Sequence, residues 1–145
     1  MARMKPILAI LVSTTLLGCA GSGTYDSAAS IAPDVDAVFS DLCKQTGRCY
    51  HRGPNPEIVV SVTTNLPTHP DPDKVTAGYT YASGAIHIQP YVRDDADLLR
   101  ATLLHEIGHA VGLTHDDATC PDSVMHPKVD RTHLAFGTCD LEHLR

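Results

Sequence analysis

Three histidines, a glutamate and a glycine follow one another at fixed spacings in the C-terminal half of the chain. They are His105, Glu106, His109, Gly112 and His115. On an α-helix, four residues correspond to about 40° of rotation and roughly 6 Å of rise, so His105 and His109 project from one face. Gly112 allows the chain to leave the helix in a left-handed conformation, which brings His115 back towards that face. The spacing therefore predicts a helix that ends in a three-histidine cluster.

Such a cluster has the donor set of a zinc site. Three neutral imidazoles hold a tetrahedral zinc and leave the fourth position open for water. Glu106, about 100° around the helix from His105, reaches this water without binding the metal. Hydrolysis is the expected chemistry, because zinc lowers the pKa of bound water towards about 7 and a glutamate can accept its proton. The sequence thus predicts one catalytic Zn2+ on His105, His109 and His115, with Glu106 as the catalytic base.

The same residues match the signature HExxHxxGxxH of the metzincins at every fixed position from His105 to His115. A second metzincin feature, a tight turn with a methionine below the metal, is matched by Ser123-Val124-Met125-His126-Pro127. This resemblance implies that Met125 packs under the imidazoles without binding zinc. Within the group the chain is most similar to the matrixins, and Asp140-Leu141-Glu142 resembles the start of their last helix. Pro127 stands where the astacins carry a tyrosine, so no tyrosine acts there.

The resemblance implies an α/β (α+β) fold in which a small, mixed, mainly antiparallel sheet packs on the zinc-binding helix. It also implies a zinc-dependent endopeptidase that hydrolyses peptide bonds with a zinc-bound water activated by Glu106. The segment Gly84-Ala85-Ile86-His87-Ile88 resembles the metzincin edge strand, along which an extended substrate lies antiparallel. Two alternatives stay open: a non-catalytic surface lipoprotein that binds zinc or peptide, and a zinc hydrolase of cell-wall peptides. A pure binder has no need of Glu106.

The N-terminal residues have the features of a bacterial lipoprotein signal. Arg3 and Lys5 precede an apolar run, residues 7–17, that is too short to span a bilayer comfortably. Leu16-Leu17-Gly18-Cys19 resembles a lipobox, so we expect residues 1–18 to be removed and Cys19 to carry acyl chains that anchor the protein to a membrane. The three residues directly after Cys19, Ala20-Gly21-Ser22, include no aspartate. By resemblance this favours the bacterial outer membrane, with the protein facing the periplasm or the cell surface.

The remainder is predicted to be a tether and one domain. Residues 19–33 are small and polar, as in flexible linkers, and residues 34–145 would form the metallopeptidase domain. Apolar periodicity predicts two helices: one from an Asp34 cap to Gly47, and one from about Ala96 to Val111 after an Asp94 or Asp95 cap. Runs of β-branched residues and a turn predict a strand over 57–64 and a hairpin of 77–81 with 85–89.

Four cysteines remain when Cys19 is set aside: Cys43, Cys49, Cys120 and Cys139. An even number in an exported chain indicates disulfides, and three connectivities are open. Sequence proximity favours Cys43 with Cys49 and Cys120 with Cys139. A second zinc site is the rival interpretation, but paired CxxC spacing is missing.

The charge pattern bears on partners. The formal net charge is -6, and no Lys/Arg stripe of the kind that follows phosphates is present, which excludes nucleic acid as a partner. We expect a monomer that acts on a protein or peptide substrate. Calcium sites are conceivable at three acidic clusters, although solvated surface or helix capping is favoured at each: Asp71/Asp73, Asp94/Asp95/Asp97 and Asp116/Asp117.

Overall fold

A computed structural model describes residues 22–71, 74–115 and 120–145. These residues form five strands and three α-helices around one core. The elements are β1 (Ser22–Ser27), α1 (Ala32–Thr46), β2 (Cys49–Arg52), β3 (Ile58–Val62), β4 (Gly78–Thr80), β5 (Ala85–Ile88), α2 (Ala96–Ala110) and α3 (Thr138–Leu144). The predicted α/β class is confirmed. Short 3-10 turns at Ala29–Ile31 and Pro90–Asp94 precede α1 and α2.

The sheet has the strand order β2-β1-β3-β5-β4 and is mostly parallel. Strand β1 pairs in parallel with β2 and β3, and β3 pairs in parallel with β5; the hairpin of β4 and β5 is antiparallel. The expectation of a mainly antiparallel sheet is therefore wrong. The reason is the connection through α1, which returns the chain to the starting end of the sheet, so that β2 runs in the same direction as β1.

The predicted flexible tether is wrong from Ser22 onward, because β1 lies inside the sheet between β2 and β3. Its two buried residues are Gly23 and Tyr25. A Cβ on Gly23 would lie 2.6 Å from a ring carbon of Tyr50, and Tyr25 stacks on Phe39 with ring centroids 4.1 Å apart. Neighbouring aromatic rings thus fill the space that a hydrophobic run would occupy, which is why the segment resembles a linker. The predicted signal peptide and Cys19 lie outside the described residues.

Both predicted helices are present. Helix α1 begins at Ala32, two residues before the expected cap at Asp34, because Pro33 suits the first helical turn. The start of α2 follows the prediction: the Asp95 side chain accepts a hydrogen bond of 3.0 Å from the Leu98 N–H. Arg100 of α2 donates a hydrogen bond of 2.7 Å to Asp41 of α1, and this guanidinium holds the pKa of Asp41 below its usual range.

No helix within the described ranges is long and apolar enough to cross a membrane.

The two disulfides favoured by sequence proximity are confirmed. The bridge Cys43–Cys49 joins the last turn of α1 to the start of β2. The bridge Cys120–Cys139 joins the chain just before the methionine turn to α3. Each bridge therefore fixes an element boundary, and the second holds both flanks of the segment around Met125.

We predict that the longer disulfide loop contributes more stability. Replacing Cys120 and Cys139 by alanine should lower the free energy of unfolding by about 3 kcal/mol in the loop-entropy model, because the bridged residues are 19 apart. In the matched variant, which replaces Cys43 and Cys49, they are 6 apart, and we expect a loss of about 2 kcal/mol. Denaturant unfolding of the two variants measures the difference. A larger loss from the shorter loop would contradict the prediction.

Candidate metal centre

The three histidines of the predicted motif come together at the end of α2. His105 and His109 project from consecutive turns of the helix, and His115 lies on the segment that follows it. One ring nitrogen from each histidine lies within 4.8 Å of the corresponding nitrogens of the other two. His105 is buried, His109 half-buried and His115 exposed, so the cluster reaches from the core to the surface.

Backbone carbonyls fix the protonation of two of the rings. The Nδ1 atom of His105 lies 2.7 Å from the Val124 oxygen, and Nδ1 of His109 lies 3.0 Å from the Leu113 oxygen. A carbonyl oxygen can only accept, so each Nδ1 carries a proton, and in the neutral form of each ring the lone pair is on Nε2. Burial lowers the pKa of His105 to about 4, which keeps this ring neutral at physiological pH.

The spacing of the Nε2 atoms fits a shared cation. Nε2 of His115 lies 3.2 Å from Nε2 of His109 and 3.3 Å from Nε2 of His105. Lone pairs this close repel each other unless a proton or a cation lies between them. Nitrogens held at about 2.0 to 2.1 Å from one tetrahedral zinc are roughly 3.3 to 3.4 Å apart. The cluster can therefore hold a metal ion, and its donors and spacing fit zinc.

A turn after α2 delivers the third histidine. Gly112 has φ 106°, a conformation that residues with a side chain rarely adopt. The chain reverses there, and the Leu113 N–H donates back to the Gly108 carbonyl at 2.8 Å. The reversal places the Leu113 carbonyl against His109 and directs His115 towards the same point. One glycine thus orients two of the three candidate ligands.

Glu106 is nearly fully buried beside this cluster, with 5 % of its surface exposed. Burial raises the pKa of its carboxyl to about 7, and a hydrogen bond from Thr80 opposes that rise. The Thr80 hydroxyl lies 2.7 Å from Oε2 of Glu106. A carboxyl that titrates near neutral pH can both accept and release a proton under physiological conditions.

Met125 packs on the helix turn that carries the histidines. Its side chain is 1 % exposed, and a Cβ on Gly108 would lie 2.6 Å from its sulfur. Gly108 directly precedes His109 on α2, so the thioether contacts the helix next to a candidate ligand. The small residue at position 108 permits this close approach.

A buried carboxylate holds the methionine turn in place. Asp140, the third residue of α3, accepts hydrogen bonds from Ser123 Oγ at 2.6 Å, from the Val124 N–H at 3.0 Å and from the Gly137 N–H at 2.8 Å. Ser123 Oγ in turn accepts from the Met125 N–H at 2.9 Å. Because the Val124 carbonyl is the acceptor for His105, Asp140 supports the orientation of a candidate ligand through one peptide unit.

The histidines and Glu106 lie in a cleft of about 970 Å³. One wall consists of β4 and the segment before it, and Pro127–Val129, directly after the methionine turn, line another part. The prediction that residues 84–88 form the edge strand is wrong, since β5 lies between β3 and β4. The edge strand beside the cleft is β4. A hairpin pattern in the sequence does not reveal which of its two strands pairs with the rest of the sheet.

Several residues named from the sequence lie elsewhere. His87 does not line the cleft: its Nδ1 lies 3.2 Å from the Asn65 oxygen, and its ring contacts Tyr81. Among the described residues, the three histidines are the one group of three or more His, Cys, Asp or Glu side chains placed to share an ion. Asp73, Asp116 and Asp117 of the calcium hypothesis lie outside those residues.

Two site residues were not predicted as such. The sequence places Thr80 in the predicted hairpin without indicating a role, and it places Asp140 only in the last helix. Period-two alternation in β4 puts Gly78 and Thr80 on one face, a signal that was available. No sequence signal connects Asp140 with Val124, because their contact depends on how α3 packs against the methionine turn.

No known protein family model matches the chain, and no curated protein sequence matches it either. The metzincin resemblance therefore stays a prediction, carried by the spaced histidine motif and the methionine turn. Function is inferred below from the residues of this chain and their geometry.

We predict that Asp140 supports metal affinity. Asp140→Ala should weaken zinc binding roughly 10- to 100-fold, because the Val124 carbonyl that orients His105 loses its support. Asp140→Asn, which keeps one acceptor oxygen, should fall between this variant and wild type. Zinc dissociation constants from competition with a chelator give the comparison.

The control is Asp122→Ala. The exposed Asp122 carboxylate accepts a hydrogen bond from the Thr138 N–H at the start of α3, so it also binds this helix, but this hydrogen bond does not involve the methionine turn. Its zinc affinity should match wild type. Equal zinc affinity of Asp140→Ala and wild type would contradict the prediction.

Proposed function

We propose that this protein is a zinc-dependent endopeptidase, with zinc held by His105, His109 and His115 and with Glu106 as the general base. The convergence of three Nε2 atoms beside a buried carboxylate is the observation that carries the proposal. The cleft position of these groups supports it further, because substrate can reach them. The resemblance of the spaced motif and of the Met125 turn to metzincins points to the same chemistry.

Glu106 supplies the proton transfers that peptide hydrolysis needs. Zinc, when bound, polarises a peptide carbonyl and acidifies water. Glu106 accepts a proton as water attacks the carbonyl carbon, and it releases that proton to the departing amine, so the carboxylate is regenerated. Burial also limits its contact with bulk water.

The edge of β4 offers a place for an extended peptide. The Tyr81 N–H and the Ala77 carbonyl bond to the β5 side of the hairpin, at 2.8 and 2.9 Å. Since successive backbone groups point to opposite edges of a strand, the N–H and C=O groups of Gly78 and Thr80 face the other edge. No described strand pairs there. An extended substrate can add to this edge by backbone hydrogen bonds, and the open cleft accommodates chain on both sides of the scissile bond.

A non-catalytic zinc- or peptide-binding lipoprotein is the alternative from another class. It would use the histidines, but it would gain nothing from a carboxylate buried at position 106, since an unpaired buried charge costs stability. A zinc hydrolase of cell-wall peptides would use the same groups as an endopeptidase of proteins. The proposal therefore names the bond that is hydrolysed, a peptide bond, and does not choose between protein and cell-wall peptide as the substrate.

We propose further that the chain is exported and anchored through Cys19. The two disulfides support an oxidising compartment, where such bridges persist. The lipobox-like sequence Leu16-Leu17-Gly18-Cys19 supports lipid attachment at that cysteine.

Two substitutions distinguish catalysis from metal binding. Glu106→Gln should keep zinc near one ion per chain but lower the cleavage rate about 10²- to 10⁴-fold, because it removes the proton acceptor. His109→Ala should lose zinc and activity together, since two imidazoles bind zinc far more weakly than three. Zinc content is measured by elemental analysis, and cleavage of a mixed peptide pool by mass spectrometry.

His51→Ala, which replaces an exposed histidine on β2, is the control and should behave as wild type in both measurements. Undiminished cleavage by Glu106→Gln would contradict the mechanism. A folded, zinc-loaded wild-type protein that cleaves no peptide in the pool would favour the binder.

A further inference from the structure

The base and the edge strand are in direct contact. Thr80 is the last residue of β4 and is half-buried over α2. Its hydroxyl oxygen lies 2.7 Å from Oε2 of Glu106 and 2.9 Å from the backbone oxygen of the same residue. A threonine hydroxyl has one proton to donate and two lone pairs. Both partner oxygens accept, so this single proton is shared between the carboxyl of Glu106 and the backbone oxygen of the same residue.

The rest of β4 also packs on Glu106. A Cβ added to Gly78 would lie 2.8 Å from Cγ and 3.1 Å from Oε1 of Glu106. The strand therefore covers the glutamate side chain from Cγ to the carboxyl: Gly78 lies against Cγ and Oε1, and Thr80 lies against Oε2. The Glu106 rotamer is confined by packing on one side and by a hydrogen bond at its end.

Thr80 has a second role through its backbone. Its N–H and C=O groups face the free edge of the sheet, as the pairing of Ala77 and Tyr81 with β5 requires. The side chain stands perpendicular to that edge and points to Glu106. One residue therefore contacts the base with its hydroxyl and presents its peptide groups to whatever pairs with β4.

We infer that Thr80 is a positioning residue that holds the Glu106 carboxylate in place for proton transfer and links this position to substrate pairing at the β4 edge. The inference rests on the proposed function. The hydrogen bond at Oε2 fixes the rotation of the carboxylate, and with it the direction of the lone pairs that would take the proton of the attacking water.

The first test is a separation of kcat from KM. Thr80→Val keeps the shape of the side chain but removes the donor, so kcat should fall roughly 10- to 100-fold, the equivalent of one hydrogen bond to a charged group. KM should change little, because the backbone groups at the edge remain. Thr80→Ser restores the hydroxyl and should recover most of kcat. Thr80→Ala should behave as Thr80→Val, which guards against an effect of the added methyl group.

Thr46→Val is the matched control. The Thr46 hydroxyl also donates to a backbone carbonyl, that of Leu42 in α1, at 2.7 Å, and it lies outside the cleft. Its removal should leave kcat and KM unchanged.

The second test needs no activity. The chain contains three glutamates, Glu57, Glu106 and Glu142, so labelling with [δ-13C]glutamate gives three carboxyl signals. The Glu106 signal is identified by its loss in Glu106→Gln. In metal-free protein, Thr80→Val should shift this signal and leave the other two in place, whereas Thr80→Ser should keep it near its wild-type position.

The two tests separate failure of this inference from failure of the proposed function. An active wild type whose kcat and Glu106 signal are both unaffected by Thr80→Val overturns the positioning role. Loss of kcat in Thr80→Ser equal to that in Thr80→Val also overturns it. A wild type that cleaves no peptide, together with a shifted Glu106 signal in Thr80→Val, overturns the endopeptidase proposal and leaves the contact itself established.

Discussion

Two hydrogen bonds from imidazole rings to backbone carbonyls determine the geometry of the site. His105 donates to Val124 and His109 to Leu113, and each bond leaves an Nε2 lone pair aimed at the same point. Both acceptors belong to chain that follows α2. The candidate ligands are therefore oriented by the return of the chain over its own helix, and this return depends on Gly112 at one end and on Asp140 at the other. Helix geometry alone would bring the rings close without fixing their nitrogens.

The other residues of the site are buried around the point where the Nε2 atoms meet. Met125 packs on Gly108 of the helix, β4 packs on Glu106, and the cleft is lined by both the candidate ligands and β4. A carboxyl in such an environment has its charged form disfavoured, which is why its pKa rises, and one hydroxyl, that of Thr80, partly compensates. The same surroundings strengthen every electrostatic interaction inside them. The packing of the fold and the chemistry of the site thus depend on the same contacts.

The sequence predicted best what depends on local spacing. The bounds of α2, the cap at Asp95 and the meeting of the three histidines follow from helical periodicity and one glycine. The short-range disulfides followed from proximity. Strand β1 was missed, because Gly23 and Tyr25 bury against rings from other elements and leave no hydrophobic run to read. Strand direction and the identity of the edge strand were wrong for a related reason: both are set by long-range connections that a local pattern does not encode. The contact of Asp140 with the methionine turn is of the same kind.

X-ray absorption spectroscopy of the zinc-loaded protein tests most directly whether the three imidazoles form the metal centre with Glu106 outside it. Three nitrogen ligands at about 2.0 to 2.1 Å, with imidazole multiple scattering from three rings and one further light-atom ligand, are the expected result. The spectrum of Glu106→Gln should be superimposable on that of wild type. Sulfur at about 2.3 Å, fewer than three imidazoles, or a first shell that changes when Glu106 is replaced would contradict the proposed centre.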